Sequence, residues 1–244
     1  MSKLGAISVA GCNEAGLTKT NQDFASCKKT KIGNIAAVSD GAGSAVHSDI
    51  GALCLVRTLT RAFEKTNRPL TLEQFRNTII ENIDSARNVL SRFSRLYQLE
   101  NNLNLFSATL VFAINTETNF YLAHLGDGAC ITFDEGDNMI TVSLPENGEY
   151  LNETFFFTDD NWLAHLRFSE LKDRVASFLV MTDGITPLAL DNEGHFEPFT
   201  TPILKFIRKS KSLEAHNTIT KTLSSDEVKK ISFDDKSLAW WVSC

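Results

Sequence analysis

Four short apolar segments, far apart along the 244-residue chain, each lead within two residues into an aspartate. Runs of this length and composition are typical of buried β-strands. The four aspartates are Asp40, Asp127, Asp183 and Asp234, and the first three are followed at once by glycine. Asp-Gly is a common turn pair, so a turn would explain any one of these positions. Four such strand ends in one chain instead indicate a fold that gathers carboxylates at strand termini.

The order of the predicted elements indicates an α+β sandwich rather than a doubly wound parallel sheet. Apolar runs predict strands at 6–10, 35–38, 108–114, 120–125, 155–157, 178–181 and 238–242. Apolar residues at three- and four-residue steps predict long helices over 48–64 and 72–99, and shorter helices are predicted near 162–170 and 199–209. The sequence has no linker-like stretch, so we expect one domain over residues 1–244.

Composition and charge narrow the class of protein. The formal net charge is −6, so the basic face of a nucleic-acid-binding protein is not expected. The five cysteines are odd in number and form no CxxC pair, which argues against a disulfide framework and a zinc site. The N-terminus has no signal-peptide pattern, and no apolar stretch is long enough to span a membrane. We therefore predict a cytoplasmic protein without nucleic-acid or membrane partners.

Aspartates brought together from several strand ends would repel one another strongly unless cations neutralised them. Oxygen ligands without cysteine or paired histidine favour Mg²⁺ or Mn²⁺. A water shared by two such ions becomes a hydroxide near neutral pH and can attack a phosphorus atom, while the ions neutralise the phosphoryl oxygens. The pattern therefore predicts phosphoryl hydrolysis without a serine or cysteine nucleophile.

The chain resembles the metal-dependent protein phosphatases of the protein phosphatase 2C type, in particular their small stand-alone bacterial branch. The resemblance rests on an ordered set of motifs, each weak alone, that extends over nearly the whole chain. The motifs are Asn21-Gln22-Asp23, 38–45 (VSDGAGSA) with Ser48 and Gly51, 107–110 (SATL), 124–128 (HLGDG), 148–154 (GEYLNET), 158–161 (TDDN), 182–185 (TDGI) and 234–238 (DDKSL).

The resemblance implies a four-layer αββα sandwich, in which two antiparallel sheets are flanked by helices. It also implies an Mn²⁺- or Mg²⁺-dependent serine/threonine phosphatase with two or three ions, acting on phosphorylated proteins and opposing a cognate Ser/Thr kinase. Asp40 would bridge two metals with the Gly41 carbonyl as a further ligand, and Asp183 and Asp234 would hold the first metal. These three aspartates are the predicted catalytic residues. Asp127 would bind a third metal.

Two positions depart from the family pattern. Gln22 stands where many relatives have a glutamate, so Gln22 and Asp23 are expected to reach the second metal through water and with less charge. Thr18, with Lys19 beside it, stands where relatives often have a phosphate-gripping arginine, and Lys19 lacks the bidentate fork of an arginine. These departures motivate an alternative, a non-catalytic phosphatase-fold module that binds phosphorylated partners. A phosphatase acting on small phosphate esters is a third interpretation.

Overall fold

The computed structural model describes residues 2–13, 15–99, 102–146, 154–172, 174–191 and 194–244. Ten strands form two five-stranded antiparallel sheets, with orders β1-β10-β9-β6-β7 and β2-β3-β4-β5-β8. The strands are β1 (Ser2–Val9), β2 (Phe24–Lys29), β3 (Asn34–Ser39), β4 (Leu110–Asn115), β5 (Phe120–Leu125), β6 (Ala129–Phe133), β7 (Met139–Ser143), β8 (Arg167–Leu171), β9 (Ser177–Met181) and β10 (Lys236–Ser243).

Helices cover the outer faces of both sheets. Two long helices lie on the sheet that contains β3, and a second group of helices lies on the sheet that contains β9. The helices are α1 (Ser48–Lys65), α2 (Leu72–Leu96), α3 (Trp162–His165), α4 (Thr186–Ala189), α5 (Glu197–Lys209), α6 (Ser212–Leu223) and α7 (Asp226–Lys229), with a 3₁₀ turn at Leu103–Phe106. Among the described residues, no helix is both long enough and apolar enough to cross a membrane.

Strand alternation explains why the molecule has four layers. Successive side chains of a strand point to opposite faces of its sheet. On β3, Ile35 and Ala37 pack against α1 and α2, whereas Ala36 and Val38 pack between the two sheets. A strand that is apolar on both faces needs cover on both sides, which confirms the predicted αββα sandwich.

The predicted helix at 162–170 is wrong. Helix α3 ends at His165, and Arg167–Leu171 forms β8, which pairs with β5 at the sheet edge. Residues 155–157 form a loop rather than the predicted strand. Strand β2 was missed because its exposed end, Lys28 and Lys29, breaks the apolar pattern that the prediction relied on. Short runs are ambiguous in this way, since tertiary pairing rather than local pattern decides their state.

Candidate metal centre

The predicted aspartates come together because their strands point towards the same end of the sandwich. Strand β3 leads into Asp40, β5 into Asp127 and β9 into Asp183. Strand β10 runs antiparallel to β9, so Asp234, just before β10, reaches the same end. One carboxylate oxygen from each of Asp40, Asp127 and Asp183 lies within 4.8 Å of the others.

Asp234 and Asp23 lie close to this trio without belonging to it. The charge of Asp234 is felt at both Asp127 and Asp183. Asp23 is buried, and its Oδ2 accepts a hydrogen bond of 2.8 Å from the Thr182 hydroxyl. Five carboxylates from four strand ends and the segment before β2 therefore share one region.

Crowding and burial disfavour the charged forms of these groups. Burial, together with the charges of Asp23 and Asp183, raises the pKa of Asp40 well above its ordinary value. Burial and the charge of Asp183 raise the pKa of Asp127 to about 6. Burial also raises the pKa of Asp23 to about 7, with a further contribution from Asp235 and an opposing hydrogen bond from Thr182. The protein groups around these carboxylates therefore do not fully stabilise their negative charges.

The residues present fit a pair of hard divalent cations. Asp23 Oδ1, Asp127 Oδ1 and Asp183 Oδ1 are buried, and none has a hydrogen-bond partner among the described residues. An unpaired buried carboxylate oxygen is costly unless an ion or water meets it. The donor set consists of carboxylate oxygens, without cysteine or histidine, which is the chemistry that Mg²⁺ and Mn²⁺ prefer.

Main-chain contacts fix the segment that carries Asp40. Its N–H donates to Thr109 Oγ1 at 3.1 Å, and its carbonyl accepts from the Thr109 N–H at 2.8 Å. A side chain at Gly41 would place Cβ 2.5 Å from the Gln22 carbonyl, so only glycine permits this approach.

Gln22 and Asp235 join the early segment to the centre. The Gln22 side-chain amide donates to Ser48 Oγ at 2.5 Å and to the Ala45 carbonyl at 3.1 Å. Asp235 accepts main-chain N–H bonds of 2.6 Å from both Gly11 and Gln22, one on each oxygen. Both oxygens of Asp235 therefore have partners, and its position is that of a neighbour that organises the segment.

Thr18 and Lys19 lie on the exposed segment that Asp235 ties down at Gly11. Thr18 bridges to Cys12, and the Lys19 N–H donates to the Gly11 carbonyl at 3.0 Å. Both side chains are exposed to solvent. The structure thus places them on a loop anchored beside the centre and outside the carboxylate trio. Residues 148–153 of the GEYLNET motif lie outside the described residues.

Sequence reasoning missed Lys236, a lysine that is only 1% exposed. Its Nζ donates to the Asp234 carbonyl at 2.6 Å, and its charge interacts with Asp234, Asp235 and Asp23. Burial lowers the pKa of Lys236. No sequence signal pointed to this role, because only the structure shows the burial of Lys236, and lysine is almost never fully buried without a partner. It places a fixed positive charge next to the carboxylates.

The chain is similar to known proteins in both sequence and structure. The profile of the family described as Protein phosphatase 2C matches residues 15–224. Serine/threonine-protein phosphatase 3 of Escherichia coli (strain K12) is 30% identical over 140 residues, covering 55% of this chain and 54% of that protein. The match thus spans about half the length of that curated relative.

Solved structures share the fold at low sequence identity. The serine/threonine phosphatase of S. agalactiae has a TM-score of 0.68 at 15% identity, covering 100% of both chains. PppA of Pseudomonas aeruginosa, described as a key regulatory component of T6SS, has a TM-score of 0.69 at 15% identity, covering 100% of this chain and 98% of that one. The catalytic domain of PstP, solved with 2 manganese ions, has a TM-score of 0.67 at 13% identity, covering 99% and 97%.

Proposed function

This chain belongs to the protein phosphatase 2C family, and we therefore propose that it hydrolyses phosphoserine and phosphothreonine in proteins with two or three Mn²⁺ or Mg²⁺ ions. The observation that carries the proposal is the convergence of Asp40, Asp127 and Asp183 within 4.8 Å, where one buried oxygen each of Asp127 and Asp183 lacks a hydrogen-bond partner among the described residues. Residues 1–244 would form one catalytic domain. A Ser/Thr kinase that phosphorylates the same proteins would be its functional counterpart.

In this proposal, Asp40, Asp183 and Asp234 would hold the two principal ions, with the Gly41 carbonyl as a further ligand. Asp127 would hold a third ion, while Gln22 and Asp23 would act through water. Bound ions would supply the Lewis acidity that activates water and neutralises phosphoryl oxygens.

Residues of the chain itself position the carboxylates and the incoming phosphate group. Thr109 holds the main chain at Asp40, and Thr182 fixes the Asp23 carboxylate. Lys19 offers a single positive charge and Thr18 a hydroxyl to the incoming phosphate group. Water, rather than a side chain, accepts the phosphoryl group, so no covalent intermediate with the protein forms.

The test is hydrolysis of a phosphothreonine peptide with Mn²⁺, with Mg²⁺ and with a chelator. We expect turnover only with added metal, and a loss of about a hundredfold or more for Asp183→Asn. Asp134→Asn is the matched control, because Asp134 lies in an exposed turn between β6 and β7. Full activity of Asp183→Asn with metal still required would refute the site assignment.

The main competing function is a non-catalytic module that binds phosphorylated partners. It is favoured by the Gln22 amide, which donates to Ser48 and the Ala45 carbonyl and brings no charge to the centre. Calorimetric titration separates the two functions. Metal binding without turnover on any phosphopeptide would select the module, whereas turnover on small esters alone would select a small-molecule phosphatase.

A further inference from the structure

The turn that carries Asp127 is short and rich in glycine. It consists of Gly126, Asp127 and Gly128, between the end of β5 and the start of β6. Gly126 has a φ of 99°, which lies in the region that favours glycine. Since glycine leaves the backbone free to adopt many conformations, neighbouring groups must fix the direction of the Asp127 carboxylate.

One neighbouring group is the side chain of His124, which lies on β5 and is completely buried. Its Nδ1 lies 2.7 Å from Ser143 Oγ on β7 and 3.1 Å from Nη2 of Arg167 on β8. Strands β7 and β8 belong to different sheets. The imidazole is therefore held by both sheets, three residues before Asp127.

The contact with Arg167 identifies the ring nitrogen of His124 that carries the proton. A guanidinium group can only donate hydrogen bonds, so Nδ1 of the imidazole must accept. Burial and the charge of Arg167 lower the pKa of His124 to about 3, so the ring is neutral at pH 7. A neutral imidazole has a single N–H, and here that N–H must be on Nε2.

Two backbone groups beside Asp127 act on the same imidazole. Interactions with the backbone at Gly126 and Gly128 raise the pKa of His124, which is the effect of a carbonyl acceptor. Only a nitrogen that carries hydrogen interacts favourably with a carbonyl, so these contacts belong to Nε2. They are longer or more bent than an ordinary hydrogen bond, because Nε2 has no such partner among the described residues. The other tautomer would place an N–H against Arg167 and a lone pair against the carbonyls.

Arg167 connects His124 to a second contact on the same turn. Its Nε lies 2.8 Å from Glu146 Oε2, and its Nη2 also donates to the Leu144 carbonyl at 2.9 Å. The Glu146 N–H donates to the Gly126 carbonyl at 3.0 Å. Arg167 therefore holds both the imidazole and the segment that binds Gly126.

We propose that His124, as the Nε2–H tautomer, is a positioning residue for the ion assigned to Asp127. Its N–H restrains the two carbonyl groups beside Asp127, so that the carboxylate stays directed at the shared metal centre. His124 is not itself a ligand, because one ring nitrogen accepts from Arg167 and the other carries the proton. The inference rests on the proposed function, since Asp127 must bind an ion for its orientation to matter.

Nuclear magnetic resonance tests the tautomer independently of metal binding and turnover. The chain has five histidines, and His124→Gln identifies the signals of His124 in a ¹⁵N-labelled sample. Long-range ¹H–¹⁵N correlation distinguishes the protonated ring nitrogen from the unprotonated one. We expect an unprotonated Nδ1 and a protonated Nε2 at pH 7 in the metal-free protein. A protonated Nδ1 would overturn the proposal.

Calorimetric titration with Mn²⁺ tests the positioning role. Asp127→Asn first identifies the binding step that depends on Asp127. His124→Phe fills the space without an N–H donor, and it should weaken that step about tenfold or more while the other steps stay unchanged. His124→Gln keeps a donor near the position of Nε2 and should retain most of the affinity.

Two further variants control for folding. Asn115→Leu removes a buried side-chain hydrogen bond to the Val175 carbonyl at the opposite end of the β4–β5 pair, and it should change no Mn²⁺ step. Arg167→Leu leaves the buried imidazole in place and removes the donor that selects its tautomer. We expect this variant to show both tautomers of His124 and to weaken the same step, even if His124→Phe does not fold.

The titrations separate failure of this inference from failure of the proposed function. Loss of a Mn²⁺ step in Asp127→Asn with its full retention in His124→Phe and Arg167→Leu would overturn the positioning role and leave the metal assignment intact. An unchanged titration of Asp127→Asn would overturn the assignment of an ion to Asp127, and this inference with it. Equal weakening of every step in His124→Phe and Asn115→Leu would show a general loss of stability and would also overturn the positioning role.

Discussion

Replacing Asp23 by asparagine should stabilise the metal-free protein at alkaline pH. The Asp23 carboxyl group is 8% exposed, one oxygen accepts from Thr182 at 2.8 Å, and the other has no partner among the described residues. Burial, reinforced by the charge of Asp235, raises its pKa from 3.8 to about 7. An asparagine keeps the acceptor for Thr182 and removes the charge.

The magnitude follows from the link between pKa and stability. A pKa that rises from 3.8 to about 7 on folding corresponds to about 4 kcal/mol lost when the group is ionised. Because the folded-state pKa is raised, the stability contribution is complete below pH 3.8 and disappears as the pH rises through about 7. Allowing for relaxation, we expect Asp23→Asn to gain about 2–4 kcal/mol at pH 8 and almost nothing near pH 4.

The assay is urea unfolding of both proteins in a chelator between pH 4 and pH 8. Titrating groups that do not feel the Asp23 charge are common to both proteins and cancel in the difference. Asp40 does feel that charge, which adds to burial in raising its pKa, so the variant relieves Asp40 as well and the gain at pH 8 includes this contribution. Asp134→Asn is the control of opposite sign, because hydrogen bonds from Asn138 and Gly136 lower the pKa of Asp134. That variant should lose stability towards neutral pH. Added Mn²⁺ should reverse the order at pH 8, since an ion that binds only the native state stabilises the wild type more.

A metal-free Asp23→Asn protein that is less stable than the wild type at pH 8 would refute the reasoning. It would mean that the Asp23 carboxylate is already compensated inside the protein. Equal stability at all pH values would show that solvent reaches this carboxyl group.

Two further predictions concern the buried lysine Lys236 and the buried histidine His124. Lys236→Met should raise the affinity for Mn²⁺ about tenfold in calorimetric titration, because it removes a positive charge that donates to the Asp234 carbonyl; an unchanged or weaker affinity would contradict this. His124 is fully buried and bonds to Ser143 Oγ at 2.7 Å, and burial with the charge of Arg167 lowers its pKa to about 3. Because the folded-state pKa is lowered, stability is lost as the pH falls below 6.5, so His124→Gln should flatten the acid side of the stability profile in urea unfolding.

Periodicity in the sequence predicts the elements that are apolar on a whole face. The predicted strand at 120–125 coincides with β5, and the predicted helix at 48–64 falls within one residue of α1. Strands β6 and β7 and helix α6 were not predicted. Strand β7 is half-exposed at a sheet edge, so its pattern is weak, and its state is decided by pairing with β6.

The sequence allowed the carboxylates of the site to be predicted, but not the residues that surround them. Aspartates at strand ends leave a visible pattern because strand direction brings them to one end. The role of Asp235 in tying Gly11 to Gln22 is not visible, since it joins residues more than two hundred positions apart. The charge of Lys236 is likewise apparent only when the lysine is seen to be buried.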